Sequence, residues 1–516
     1  MPVALAALAF ALGCLMRAPG LSSSFLQGDE FHTLGLASQG YAVIAGSYEP
    51  KTGSLALPLL QRAALDAVGW TVGAGRLPAL LGGLLGLAAM YPVARRFVGA
   101  PAAAIAMLAL SANPRHVFYS HFARAYSLVV FGALVFAYAL RRVTEPGESS
   151  RGGYALVAGS AALLPFTHLT ALALVASAGA GAGAIFLLQK RPRADWLWLG
   201  GSFAMAGLLC LALHLPAWDP FLAFLRSRSA LAADPPAGLV LGVADLFAGG
   251  RLAGALWLAG LCVAWVWMLR VRRDPALLLL ALGLGPILLF AWLRPNESAY
   301  AYARYLLGAL PFLLMLLGWL VVEAVGRALE HRVRADAVAV GLGAALVAPA
   351  GWWGPLGRDH VDDGPYRNRY HSFAGAPERM NSPFGATPAI YAHLAAIRGP
   401  VRIIESPPIL QRNLMLYRNY YRQHRKETLL GTISLGQLLD GPYVAILDPV
   451  AIEQSGADYL ILHRDVEAEL ERSLESRRQR GPGVSRAEIA RVEQQLTARY
   501  GPAGPLDDDV AVWKLR

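Results

Sequence analysis

Apolar residues gather into runs of roughly helical membrane-crossing length between residues 3 and 353, and into shorter, mixed stretches after that. The long runs lie near 3–20, 77–94, 98–112, 127–140, 153–167, 169–189, 196–216, 252–269, 275–293, 305–325 and 337–353. A helix needs roughly 20 apolar residues to cross a bilayer at 1.5 Å rise, and several of these runs are shorter. The Thr167-His168 junction leaves two readings open: a tight turn between two helices, or one long helix. Beyond residue 354 the pattern changes. Val401–Glu405, Tyr443–Leu447, Tyr459–His463 and Val510–Leu515 read as strands. Pro408–His424, Asp465–Arg477 and Ser485–Tyr500 read as helices, with a turn at Gly481-Pro482-Gly483. The expected fold is therefore mainly α: a polytopic membrane helical bundle of about eleven spans over 1–353, followed by a soluble α/β domain over 354–516. The strand-helix alternation suggests a small Rossmann-like layer. No Gly-rich phosphate fingerprint follows any of the strands, so dinucleotide binding has no support. No internal repeat is present.

Composition agrees with this division. Hydrophobic residues make up 55% of the 516 and charged residues 16%, well below the quarter or so usual for soluble proteins. The net charge is +11. Many basic residues sit in short loops between apolar runs, as at Arg95-Arg96, Arg141-Arg142, Arg191, Arg193, Arg272-Arg273, Arg332 and Arg334. Such loops face the cytoplasm. With the N-terminus inside and an odd number of spans, the C-terminal domain falls outside, in the periplasm or beyond the cell, and the chain belongs to the cytoplasmic membrane. Basic residues spread over loops do not make a nucleic-acid surface. Cys14, Cys210 and Cys262 all lie in apolar runs, so the soluble domain has neither a disulfide framework nor a cysteine zinc site. Val3 to Met16 resembles a signal-peptide core but lacks a basic flank and a cleavage site, and reads as a retained first helix.

Two outer segments are long. The first, from about Arg17 to Arg76, contains an amphipathic stretch, Leu55 to Trp70, suited to lying along the membrane surface. The second runs from Ala217 to Arg251. Asp29 and Glu30 open the first. One of them can take a proton from an attacking hydroxyl or amine; a hydrophilic flank or helix cap accounts for the pair equally well. Arg124, followed by Tyr126, and Arg304, followed by Tyr305, stand at the outer ends of two spans. A guanidinium there can hold a lipid phosphate bidentately or snorkel to headgroups. Lys51 and Arg76 bracket the amphipathic stretch and can also meet phosphate. A metal site from Asp29, Glu30 and His32 lacks a complete ligand set, so no metal is assigned and a divalent cation stays open. His32 and His168 read as ordinary structural histidines.

The order of these motifs resembles the GT-C superfamily of glycosyltransferases, and within it the bacterial protein O-mannosyltransferase and aminoarabinose transferase group. The resemblance rests on the Asp29-Glu30 pair, the stretch after Leu55, Gly75-Arg76-Leu77-Pro78 leading to Arg95-Arg96, Asn113-Pro114, and Tyr119-Ser120-His121-Phe122-Ala123-Arg124-Ala125-Tyr126. Arg304-Tyr305-Leu306-Leu307 with Pro311 is similar to a later element. It implies an enzyme that takes a sugar from a polyprenyl-phosphate carrier and passes it to a lipid, glycan or protein acceptor at the outer face, among membrane lipids. Asp29 would be the catalytic carboxylate and Glu30 its neighbour; Arg124 and Arg304 would contact the phosphate. Two departures stand out: His121 and Phe122 replace a Gln and a Glu, and Thr52-Gly53-Ser54-Leu55 replaces a His-Pro-Pro-Leu-like entry. A flippase for a lipid-linked sugar, or a silent member of the fold, are the alternatives. A transporter would show related halves with broken helices at mid-membrane, whereas here the polar candidates cluster at one face.

Overall fold

The computed structural model describes residues 2–17, 21, 28–37, 39–48, 53–69, 72–229, 238–248, 250–294, 299–329, 337–339, 341–345, 389–406, 426–431, 443–444, 449–463, 486–504 and 510–515. The chain divides into two compact units. One comprises Met1–Ser24 and Leu36–Gly375, the other Phe25–Gly35 and Ala376–Arg516.

The larger unit is helical. In chain order the helices are α1 (Pro2–Arg17), α2 (Gly28–Ala37, mostly in the other unit), α3 (Tyr41–Gly46), α4 (Ala56–Val68), α5 (Val72–Val98), α6 (Ala100–Ala112), α7 (Pro114–His121), α8 (Tyr126–Thr144), α9 (Arg151–Thr167), α10 (Ala171–Leu188), α11 (Arg193–His214), α12 (Trp218–Ser229), α13 (Leu239–Ala248), α14 (Arg251–Val271), α15 (Arg273–Gly283), α16 (Gly285–Leu293), α17 (Ala299–Tyr305) and α18 (Leu310–Ala328). Among the described residues seven helical stretches are long and apolar enough to cross a membrane: Gly73–Val98, Tyr126–Thr144, Ala171–Leu188, Arg193–Arg226, Arg251–Val271, Arg273–Leu293 and Leu307–Ala328. The expected spans at 3–20, 98–112 and 153–167 fall on α1, α6 and α9, helices of 16, 13 and 17 residues. Most of the run at 337–353 lies outside the described residues. The open question at His168 is resolved by a turn over 168–170, so α9 and α10 are separate helices. Within the stretch expected at Leu55–Trp70 the helix α4 runs over Ala56–Val68, and Trp70 lies outside the described residues. The second outer segment holds two helices that the pattern did not predict, α12 and the apolar α13.

α5 is the hinge of the packing, in contact with α4, α6, α7 and α8. Its Gly82-Gly83 pair makes this possible. A Cβ on Gly83 would meet Ser120 Oγ at 2.2 Å, and one on Gly82 would meet the Leu128 backbone nitrogen at 2.8 Å. The corner between α7 and α8 is thus seated directly on the α5 backbone. Arg17, at the end of α1, is fully buried and braces the same corner. Its guanidinium donates to the carbonyls of Gly13 and Ser111 at 2.9 and 3.0 Å, donates to Ser120 Oγ at 3.1 Å, and meets His116 Nδ1 at 2.6 Å. A buried cation that saturates the last carbonyls of α6 satisfies groups a helix end leaves open.

The smaller unit carries a five-stranded sheet: β1 (Arg402–Ser406), β2 (Glu427–Gly431), β3 (Tyr443–Val444), β4 (Tyr459–His463) and β5 (Val510–Lys514), in the order β3-β2-β1-β4-β5. β5 is antiparallel to β4; the other neighbours are parallel. Strands added first on one side of β1 and then on the other define a doubly wound sheet with a switch point between β1 and β4. One face packs Ile404, Leu460, Leu462 and Trp513 against Ile489, Val492 and Leu496 of the helix Arg486–Tyr500; the other packs Ile403, Ile461 and Val512 against Ile390, Tyr391 and Leu394 of the helix Ala389–Ala396. β2 was not predicted from the pattern. The predicted helices at 408–424 and 465–477 lie outside the described residues.

Candidate functional site

Asn113-Pro114 breaks the chain between α6 and α7. The Asn113 side chain accepts from the backbone N–H groups of Arg115 and His116, and Pro114 occupies the first helical position, a favourable arrangement for a helix start. The Asn113 amide also donates to the Phe247 carbonyl at 3.0 Å, tying α13 to this corner. α7 ends at His121, and a sharp bend over 122–125 puts Arg124 between α7 and α8. Ser127 then donates to the Ala79 carbonyl at 2.7 Å, fixing the start of α8 to α5.

Arg124 is 3% exposed. Its guanidinium carbon lies 5.9 Å from the centre of the Tyr126 ring. Tyr126 contacts His168 at 4.9 Å and Tyr305 at 6.5 Å between ring centres, and His168 contacts Tyr305 at 6.2 Å. On the far side, Arg304 lies 5.2 Å from the Tyr305 ring. Residues from α8, the α9–α10 turn and α17 therefore form one cluster, three aromatic rings with a guanidinium on each flank. Cation–π attraction favours this seating of the arginines.

His168 occupies the centre. Thr170 donates its backbone N–H to His168 Nδ1 at 3.3 Å, with the Thr170 hydroxyl 2.7 Å from the same nitrogen. That places the ring proton on Nε2 of a neutral imidazole. Burial, with Arg124 and Arg304 both close by, pushes its pKa down to about 3, as desolvation and like charge do to a base. Gly53 closes over the ring: a Cβ there would lie 3.3 Å from His168 Nε2, its φ is +60°, and its carbonyl accepts from Leu169 N–H at 3.1 Å. Ser54 then caps α4, accepting from Leu57 N–H at 3.1 Å. Both changes at the entry to α4 thus have structural work to do. So do His121, whose Nε2 bonds the Arg17 carbonyl, and Phe122, which packs on Phe118 at 4.9 Å.

Of the eight residues singled out in the sequence, the cluster joins Arg124, Tyr126, Arg304 and Tyr305. Arg76 is buried, donates to the Leu21 carbonyl at 3.1 Å and lies near His121. Asp29 and Glu30 stand on the first turn of α2, in the other unit. Glu30 is fully buried; Lys51 and the side chains of Asp29 and His32 lie outside the described residues. His168 was read as an ordinary structural histidine, and Gly53 was given no role in the site. Their signal was positional: both fall in loops on the side of the bundle assigned to the outer face. Among the described residues no group of three or more His, Cys, Asp or Glu side chains is placed to hold a metal ion.

α17 packs against α13, and an apolar cavity of about 170 Å³ lies between α13, α14, α15, α16 and α18, lined by residues including Val243, Phe247, Trp257, Cys262, Leu279 and Leu313.

This helical bundle, with its arginines at a helix corner and its α/β domain, has the fold of the GT-C membrane glycosyltransferases. Among solved structures it is similar to the aminoarabinose transferase ArnT of Cupriavidus metallidurans bound to undecaprenyl phosphate, with a TM-score of 0.58 and 15% identity over 91% of this chain and 94% of that one. The apo form of the same protein gives a TM-score of 0.54 at 15% identity, with the same coverage. The oligosaccharyltransferase of Archaeoglobus fulgidus lies further off, at 0.48 and 12% identity over 92% of this chain and 71% of that one. No protein-family model and no curated protein sequence matches the chain.

Proposed function

We propose that this protein is a glycosyltransferase that moves a sugar from a polyprenyl-phosphate carrier to a lipid, glycan or protein acceptor at the outer face of the cytoplasmic membrane. The observation that carries this reading is the meeting of Arg124 and Arg304 around Tyr126, His168 and Tyr305, in a bundle whose fold matches a structure holding undecaprenyl phosphate.

The donor phosphate sits between the two guanidinium groups. Its isoprenoid tail follows the apolar cavity beside α13. Asp29, with Glu30 beside it, orients the acceptor and takes its proton. The acceptor oxygen or nitrogen bonds to the anomeric carbon as the bond from that carbon to the phosphate oxygen breaks. The electron pair leaves with the polyprenyl phosphate, whose charge the arginines stabilise. A single displacement inverts the anomeric carbon. Neutral His168 keeps the arginines' field undiluted by a third titrating cation and contributes shape. The chemistry needs no nucleotide fold, because the donor is a lipid.

The test is transfer of a radiolabelled sugar from polyprenyl-phosphate donors by purified protein in detergent, where no gradient exists to drive transport. Asp29→Asn is expected to abolish transfer and leave binding of undecaprenyl phosphate within about twofold. Full transfer by this variant removes the proton-accepting role, and no product from any donor with the parent protein removes the enzyme reading altogether.

A further inference from the structure

The sheet of the smaller unit holds a second group of polar side chains, gathered at one end of two neighbouring strands. Glu405 and Ser406 are the last residues of β1, and His463 is the last of β4, its parallel neighbour. Tyr391 reaches them from the helix Ala389–Ala396, with its hydroxyl 3.0 Å from His463 Nε2 and the two rings stacked at 6.4 Å. All four lie at the carboxyl ends of the two strands that flank the switch point, where open α/β sheets bind ligands in the crevice beyond the strand ends. Successive strand residues point to opposite faces, so Glu405 and Ser406 frame the end of β1 from both sides.

These groups are out of place as packing. Glu405, Ser406 and Tyr391 have no exposure, and His463 keeps 6%. Among the described residues, neither Glu405 carboxyl oxygen nor Ser406 Oγ has a hydrogen-bond partner, although Tyr391 lies close enough to favour ionised Glu405. Buried polar groups of native proteins are nearly always satisfied, and the exceptions tend to have a function. Among the described residues, the charged Arg402 and Lys426 lie at the opposite, amino ends of their strands. Arg402, at the start of β1, donates to the Ser455 carbonyl at 2.7 Å, and Lys426, just before β2, donates to the Ile397 and Gly399 carbonyls at 2.6 and 3.0 Å.

Burial holds Glu405 well above the ordinary carboxylate range and lowers His463 to about 3. Burial favours the protonated carboxyl of Glu405 and the neutral imidazole of His463, beside a hydroxyl and a phenol. Each can donate or accept. None of these four residues is a Lys or Arg that could meet an anion. A cationic ligand would work against the burial that favours the protonated carboxyl of Glu405.

We infer that the carboxyl edge of β1 and β4 is a binding site for an uncharged polyhydroxylated group, a sugar ring, held by Glu405, Ser406 and the Tyr391–His463 pair. Ring hydroxyls present the same mixture of donors and acceptors and supply the missing partners. The assignment is independent of the membrane site and stands whether or not that site transfers sugar.

Amide hydrogen exchange on the full-length protein tests it, read on peptides covering residues 389–406 and 459–463. The probes are methyl glycosides of neutral hexoses and pentoses, glucosamine as a cationic sugar, and calcium chloride. Saturable slowing of exchange by a neutral glycoside is expected, retained in Glu405→Gln, weakened about two- to tenfold in Ser406→Ala and lost in Glu405→Leu. Should Glu405→Leu fail to fold, the Gln and Ala variants decide alone. Protection by glucosamine or calcium only, abolished in Glu405→Gln, overturns the assignment in favour of a cation site. Absence of protection by every neutral glycoside, or equal protection in Ser406→Ala, overturns it as well.

Discussion

Replacing Gly83 by alanine is a stringent test of how the arginine corner is built. The added Cβ would lie 2.2 Å from Ser120 Oγ, 2.7 Å from Ser120 Cβ and 3.5 Å from Ser120 Cα. The hydroxyl can rotate away, but the Cβ cannot, and carbon atoms rest at about 3.5–4.0 Å. α5 and α7 must then part by about 1 Å. Over-packing of this kind costs about 1–3 kcal/mol. Ser120 also donates to the His116 carbonyl at 2.6 Å and accepts from Arg17 Nε at 3.1 Å, and loosening these bonds adds about 1 kcal/mol. The sum, on the order of 2–4 kcal/mol, should lower the melting temperature in detergent by roughly 5 °C. A second substitution sharpens the test. Ser120→Gly removes both clashing atoms, so it should destabilise the parent, where it breaks the bond to Arg17, yet stabilise Gly83→Ala. The assay is a double-mutant cycle of melting temperatures on the purified protein. An unchanged melting temperature in Gly83→Ala, or additive effects of the two substitutions, refutes the close seating of α7 on α5.

Other outcomes follow from the same geometry. Arg124→Ala and Arg304→Ala should each weaken binding of undecaprenyl phosphate by about 10- to 150-fold, the value of a charge-assisted hydrogen bond, while Arg124→Lys keeps part of it; native mass spectrometry of the lipid complex measures this, and equal affinity in all three variants counts against the phosphate assignment. Gly53→Ala, forced into a left-handed φ of +60° beside the His168 ring, should lower the melting temperature by an amount corresponding to about 1–2 kcal/mol, and most of the loss should persist in a His168→Ala background, because the strain lies in the backbone. Burial beside Arg124 and Arg304 lowers the pKa of His168 to about 3, below the ordinary imidazole value of 6.5. Its contribution to stability is therefore complete above pH 6.5 and lost as pH falls from 6.5 towards 3, at up to about 1.4 kcal/mol per pH unit. Melting curves between pH 7.5 and 4.5 should show a steeper acid loss for the parent than for His168→Asn; parallel curves contradict the neutral state of the ring.

Much of this architecture can be read along the chain, because long apolar runs have few alternatives to a membrane helix and short β-branched runs bounded by Gly or Pro have few alternatives to a strand. β4 coincides with the expected Tyr459–His463, and β1 is displaced by one residue. β2 escaped because Glu-Thr-Leu-Leu-Gly carries neither alternation nor a β-branched cluster; its strand character comes from pairing with β1. α13 escaped because ten mostly apolar residues, Leu239–Ala248, are too few for a span and were read as loop. Arg124 and Arg304 were visible as interfacial arginines, but their meeting around His168 depends on helix packing, as does the need for glycine at positions 53 and 83. Those contacts join residues tens to more than a hundred positions apart, and no local pattern encodes them.

The strand order has a consequence for biogenesis. β4 is hydrogen-bonded to β1 on one side and depends on β5 for the other. During synthesis β1 to β4 emerge first, and until residues 510–514 arrive the apolar Leu460, Ile461 and Leu462 border an open edge, ready to pair with another nascent chain. The antiparallel return of β5 seals that edge with Val510, Ala511, Val512 and Trp513. Expression vectors that alter or shorten this stretch should therefore raise aggregation of an otherwise intact membrane bundle, whereas changes near the outer helix Arg486–Tyr500 leave the edge protected.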